Sequence, residues 1–245
     1  MPVVTEFPIV ELRQYTLHPG QRDVLIELFD RAFVETQEAT GMRVFGQFRD
    51  LDRPDRFVWI RGFSDMAARA AALEAFYTGP VWQAHRAAAN ATMIDSSDVL
   101  LLHPATPTRG FADLPPRAAP GAIAPPASLF VATIYALAPA ASPRFARFFA
   151  DHVAPELASA GATIVASFAT EHSPNTFPRL PVREGEDVFV VLSRFADPAA
   201  HAHVVTTLAA TPRWRDHVAP SLAAQLSAPP ETLRLAPTSR SRLRA

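Results

Sequence analysis

A chain of 245 residues, 49% hydrophobic and 19% charged, can bury a substantial core as one large domain or two small ones. Its net charge of −1 gives no basic field to attract nucleic acid or an anionic membrane, and it has no cysteine for disulfides, thiolate nucleophiles or thiolate-bound metal. All 23 cationic side chains are arginines, which excludes Schiff-base chemistry, a lysine-anchored pyridoxal cofactor and a Walker phosphate loop.

The opening MPVVTEFPIVEL has neither a basic leader nor a long apolar run, and no stretch of ~20 apolar residues follows. A cytoplasmic protein is expected. Residues Ile9 to Thr16 read as a strand between Pro8 and His18-Pro19-Gly20. From Gln21 to Ala39 the apolar positions Val24, Leu25, Leu28, Phe29, Ala32 and Phe33 recur at helical spacing, and Gly41 suits the helix C-cap. Strands are expected at Met42 to Arg49 and Phe57 to Phe63, joined by an Asp- and Pro-rich turn. Ser64-Asp65 supplies an N-cap for a helix from about Met66 to Tyr77, Gly79-Pro80 breaks it, and another helix runs from Val81 to about Met93. Val99 to Leu102 forms a fourth strand. The order is β-α-β-β-α-β, a ferredoxin-like unit.

Residues 104–128 contain seven prolines and read as an extended linker. Then the pattern returns. At an offset of 120, Tyr135, Leu137, Phe149, Gly161 and Phe168 fall on Tyr15, Leu17, Phe29, Gly41 and Phe48. A turn longer by 12 residues shifts the offset to 132, where Phe189, Phe195, Asp197, Pro212, Trp214 and His217 fall on Phe57, Phe63, Asp65, Pro80, Trp82 and His85. The expectation is an α+β fold of two tandem ferredoxin-like units, residues 8–103 and 129–237, packed sheet to sheet as a pseudodimeric α/β barrel. The arginine-rich tail from Ser239 to Ala245 reads as a frayed, solvated end.

The run GMRVFGQFRDLDRPDRFVWIRGF, followed by FYTGPVWQAHRAAANATMIDSSDVLLL, resembles the NIPSNAP family of the dimeric α/β-barrel superfamily. The resemblance implies a ferredoxin-like barrel and frequent homo-oligomers, but no single reaction. The wider superfamily includes cofactor-independent monooxygenases, muconolactone-type isomerases and haem enzymes, and fold analogy does not choose among them.

Candidate chemistry lies where the two copies differ. Alternation places Glu11, Arg13 and Tyr15 on one face of the first strand, Arg43, Phe45, Gln47 and Arg49 on one face of the second, and Phe57, Trp59 and Arg61 on the third. In the second copy Arg13, Arg43, Gln47, Trp59 and Arg61 become Thr133, Thr163, Ser167, Val191 and Ser193. One copy thus carries an arginine-rich face suited to a carboxylate or enolate. His85, on the helix after Trp82, is the expected general base; Arg61 or Arg13 orients the substrate, Tyr15 and Tyr77 donate to an oxyanion, and Trp82 and Asn90 complete the pocket. A small-molecule enzyme that works by proton transfer or oxygenation, with no cofactor, leads the readings. A non-enzymatic binding or assembly protein is the alternative. A haem or metal enzyme using His152 or His217 is a third.

Overall fold

Eight strands rich in Val, Ile, Leu and Phe organise the molecule, as the pleated, half-buried surface favours. In the computed structural model, which describes residues 5–111 and 114–244, they are β1 (Ile9–Leu17), β2 (Arg43–Asp50), β3 (Arg56–Phe63), β4 (Met93–Pro104), β5 (Leu129–Leu137), β6 (Thr163–Thr170), β7 (Asp187–Phe195) and β8 (Glu231–Pro237). The first four residues, two residues of the linker and the last residue of the tail lie outside that description. All neighbours pair antiparallel, in the order β1-β3-β2-β8-β5-β7-β6-β4, and β4 returns to β1 to close a barrel. The order β4-β1-β3-β2 in one half is repeated as β8-β5-β7-β6 in the other.

Packing of the halves face to face is therefore only part of the arrangement. Their edges also pair, β2 with β8 and β4 with β6, so the eight strands form one continuous closed sheet. Closure removes free strand edges. The barrel interior is apolar and built from both halves, with Val10, Leu12, Val58 and Ile60 meeting Ile134, Val190, Leu192 and Leu235.

Helices cover the outside. Over the first half lie α1 (22–38), α2 (Met66–Thr78) and α3 (Pro80–Asn90); over the second lie α4 (142–159), α5 (Pro198–Ala210) and α6 (214–223). The capping signals act as expected: Gly41 takes a positive φ of 95°, and the Asp65 and Asp197 carboxylates accept from the backbone N–H of Ala68 and Ala200 at 2.6 and 2.7 Å. Helix α1 is not a continuous α-helix. A π-turn at Phe29–Phe33 interrupts it and leaves both phenylalanines buried, and the same turn recurs at Phe149–Val153 in α4.

Strict alternation fails on β2. A bulge between Val44 and Gly46 sends Phe45 into the barrel interior with Phe48, while Val44 and Gln47 face the helices. Arg43 and Phe45 therefore do not share a face with Gln47. An equivalent register shift falls between Ile164 and Ala166 on β6.

Three other expectations are corrected. Strand β4 is much longer than Val99–Leu102, because its polar start, Asp95 to Asp98, pairs with β1 without the apolar alternation of a covered strand. The linker does more than span a distance: Phe111 packs between Phe45 and Phe168 at ring distances of 4.6 and 5.2 Å. The tail is not frayed. Thr238, Arg240, Ser241 and Leu243 are buried, and Leu243 N–H donates to the Phe45 carbonyl at 3.0 Å, so the tail satisfies backbone groups that the bulge leaves unpaired.

Candidate functional site

Strands β1 and β3 place Glu11 opposite Arg61 and Arg13 opposite Trp59, all on the face beneath the helices. Helix α2 adds Arg69, which shares a buried helical face with Ala72, Leu73 and Phe76. The Glu11 carboxylate accepts from Arg13 Nη1, Arg61 Nε and Arg69 Nε, each at 2.7 Å. All four side chains are fully buried, at 0% exposure. Three guanidiniums against one carboxylate leave an excess of two positive charges in the interior. Burial opposes ionisation of Glu11, but the Arg61, Arg13 and Arg69 guanidiniums outweigh it and hold the carboxyl far below the usual carboxylate range.

The remaining donors decide what the cluster can do. Arg13 Nε donates to the Tyr15 hydroxyl at 3.0 Å, which leaves the Tyr15 proton free to donate elsewhere. Arg61 Nη1 donates to Gln37 Oε1 at 3.1 Å. Arg13 Nη2, Arg61 Nη2 and Trp59 Nε1 have no hydrogen-bond partner among the described residues. Buried donors without partners are costly, and such a group in a native fold calls for an explanation. The Trp59 ring lies 5.6 and 4.9 Å from the Arg13 and Arg61 guanidinium carbons, so its π face offsets part of that charge.

A cavity of about 30 Å³ adjoins the cluster, lined by Tyr15, Phe29, Phe33, Gln37, Trp59, Phe76, Tyr77 and Trp82 among others. As it stands it holds water-sized molecules. Burial pushes the Tyr77 phenol above its ordinary value, while the neighbouring Arg61 charge pulls the other way.

Of the residues singled out in the sequence, Tyr15, Arg13, Trp59, Arg61 and Trp82 come together at this cavity and the cluster beneath it. Others do not. His85 is half-buried against Phe33, with ring centroids 6.2 Å apart; Phe33 lines the cavity and His85 itself does not. Gln47 joins a separate network, donating to Asp30 at 2.9 Å and accepting from Arg117 at 3.1 Å. Arg43 lies over the Phe7 ring at 5.1 Å, displaced by the bulge. Asn90 lines an outer groove on the far side of Tyr77 and Trp82. His152 and His217 are exposed on the second half, so neither projects toward the sheet as an axial ligand would. No group of three or more His, Asp or Glu side chains converges as a metal site among the described residues. No helix among them is long and apolar enough to cross a membrane.

Sequence reasoning missed Arg69, Gln37 and the covering loop. An arginine in register with Ala72, Leu73 and Phe76 on an apolar helix face was a usable signal for the first. The loop carries no such signal. The 12 residues inserted in the second half lie in the turn between β6 and β7, and this turn crosses onto the first half: Arg69 Nη1 donates to Asn175 Oδ1 and Thr176 Oγ1 at 3.0 and 3.2 Å, and Phe177 stacks on Tyr77.

Comparison with known proteins bears on the fold. No curated protein matches the sequence. Among solved structures, a candidate monooxygenase from Lactobacillus acidophilus NCFM superposes with a TM-score of 0.57 at 13% identity, over 96% of this chain and 98% of that one. A second candidate monooxygenase, from Fusobacterium nucleatum, gives 0.57 at 9% identity over 95% and 93%. An anthrone oxidase-like protein gives 0.55 at 12% identity over 99% and 98%. At such identities the likeness is one of fold. The NIPSNAP family model matches residues 10–107. The half of the chain that carries the buried charged cluster is thus a NIPSNAP-family domain.

Proposed function

We propose that the protein is a small-molecule enzyme that binds a flat, enolisable or phenolic substrate and stabilises its oxyanion at the buried cluster. The observation that carries this reading is the excess of two positive charges, with three unpartnered donors, beside a cavity lined by aromatic rings. Arg13 and Arg61 hold the oxyanion, Tyr15 donates its free hydroxyl proton to it, and Trp59 lies against the ring. No carboxylate or imidazole lines the cavity among the described residues, so the substrate proton leaves to water and the cations act by lowering the pKa of the bound substrate. Trp82 and Tyr77 move outward to admit the ring, since the resting cavity is too small for it.

Where dioxygen then reacts, the substrate supplies the electrons. A ring CH₂ loses both hydrogens, one oxygen atom becomes the new carbonyl and the other leaves as water, which balances without a cofactor. Without dioxygen the same site moves a proton along the carbon frame. The fold shared with proteins named as monooxygenase candidates and as anthrone oxidase-like supports the oxygenase branch. We further infer that the halves are two ferredoxin-like units from one duplication, given the repeated strand order, π-turns, bulges and capping aspartates.

The test is a panel of anthrones, naphthols and cyclic 1,3-diketones, read by oxygen uptake and by solvent deuterium exchange. Turnover by the wild type, reduced about 10²–10³-fold in Tyr15→Phe, is the expected result. Turnover that Tyr15→Phe leaves intact would sink it. The absence of any base from the cavity favours one rival, a ligand-binding protein without catalysis, and binding with neither uptake nor exchange would establish that instead.

A further inference from the structure

The groove outside Trp82 and Tyr77 belongs to no part of the oxyanion site. It encloses about 340 Å³, within the range of small-ligand pockets, and is lined by Tyr77, Trp82, Gln83, Arg86 and Asn90 on one side and by Phe177, Arg179 and Leu180 on the other. Tyr77 and Trp82 line the inner cavity as well, so these two rings alone are common to both spaces. The wall of the groove is aromatic: Phe177 stacks on Tyr77 with centroids 6.0 Å apart and planes at 28°, and Trp82 meets Tyr77 at 4.8 Å. The charged side chains among its lining residues are both arginines. Arg86 is exposed and makes no ion pair among the described residues, Arg179 pairs with Glu74 yet keeps 62% of its side chain exposed, and no carboxylate is among the lining residues.

We propose that this groove is a second recognition subsite, which holds a carboxylate on the outer end of an aromatic ligand whose other end reaches the inner cavity. The inference rests on the reading of the inner cavity as the reaction site and names the substrate class more narrowly: an aromatic acid. The flat wall takes the ring system, and the Arg86 and Arg179 guanidiniums offer planar forks to the carboxylate. The far wall is the turn between β6 and β7, which carries the 12 residues inserted relative to the first half. That turn is fixed to the first half at several points. Besides the Arg69 contacts, Arg183 N–H donates to the Val99 carbonyl at 2.8 Å and the Arg183 side chain pairs with Asp98 at 3.4 Å. Phe177 is buried within the first half's core rather than its own. The copy without a charged cluster supplies the specificity wall of the copy that has one.

Titration calorimetry with 1-naphthoate and its uncharged isostere 1-naphthamide tests this on the full chain. The wild type is expected to bind the carboxylate at least tenfold more tightly than the amide, with quenching of tryptophan fluorescence that Trp82→Phe abolishes. The double variant Arg86→Gln/Arg179→Gln, both positions being exposed, keeps the fold by circular dichroism, binds the amide as before and loses the preference. Tyr15→Phe keeps the preference. Equal binding of the two ligands, no binding of either, or a preference that survives the double variant would overturn the subsite. A preference that survives it but disappears in Tyr15→Phe would place the carboxylate at the inner cluster, refuting the groove and leaving the oxyanion reading intact.

Discussion

The two halves use one scaffold for opposite purposes. The π-turns at Phe29–Phe33 and Phe149–Val153, the bulges on β2 and β6, the positive-φ glycines at 41 and 161, and the capping aspartates recur position for position. A further π-turn at Trp214–Val218 corresponds to continuous α-helix in the first half. Under the helices they share Tyr15/Tyr135, Phe29/Phe149 and Phe57/Phe189 but differ at the polar positions: Glu11, Gln37 and Arg69 of the first half correspond to Val131, Leu157 and His201 of the second. The second half packs that space with Tyr135, Phe145, Phe149, Phe189 and Val191. Its small cavity is lined by Ala146, Phe149, Ile164, Ser167 and other residues, with the exposed Arg109 as the one charged member. What repeats is what the backbone needs. What differs is the chemistry, and burial of an uncompensated charge is too costly to persist without a reason.

The sharpest way to break the comparison is to remove the shared carboxylate. Glu11→Ala leaves three guanidiniums buried together and is expected to cost about 3–5 kcal/mol in urea unfolding, against about 2 kcal/mol for Val131→Ala at the matching position. Equal costs would mean that charge pairing does not hold the first half together. Because the Glu11 carboxyl is depressed in the folded state, its contribution is full above the ordinary carboxylate value and is lost progressively as pH falls below it.

Asp30 titrates in the opposite sense. Burial raises its carboxyl to about 6, against the pull of Arg240, Arg117 and the Gln47 hydrogen bond. The folded state therefore holds the proton more tightly than the unfolded chain, and stability falls as pH rises from the ordinary aspartate value to about 6. Asp30→Asn is expected to add about 3 kcal/mol at pH 7 and nothing at pH 3, measured by thermal or urea unfolding. The matching position of the second half is Ala150, where no such dependence arises. A flat pH profile in both wild type and variant would show the carboxylate to be compensated. The smallest effect is the control: Asp65→Ala and Asp197→Ala each remove one helix N-cap, and each should cost about 1 kcal/mol to the same extent. Unequal losses would show that the repeat is not mechanically equivalent.

Much of this architecture is legible in the sequence. Element order, the repeat and its two offsets follow from apolar period, Gly and Pro placement, and capping aspartates, all of which act within a few residues. The same alternation brought Arg13, Tyr15, Trp59 and Arg61 to one face, and it succeeded because β1 and β3 are regular. It failed on β2, where a single bulge reversed Arg43 and Phe45 relative to Gln47. A bulge leaves no composition mark, and a π-turn inside an apolar helix leaves none either.

Everything long-range was decided by the tertiary structure. Arg69 reaches Glu11 across 58 positions, and Asn175 and Thr176 reach Arg69 across 106 and 107. The arginine tail, solvated by any local criterion, is buried because β2 needs partners for the groups its bulge exposes. His85 lies against Phe33, a contact set by how packing rotates the helix. Local chemistry determined which elements this chain makes and which of its two faces is charged. Only the closing of the barrel decided which side chains meet, because each such meeting depends on burial shared between segments far apart in sequence.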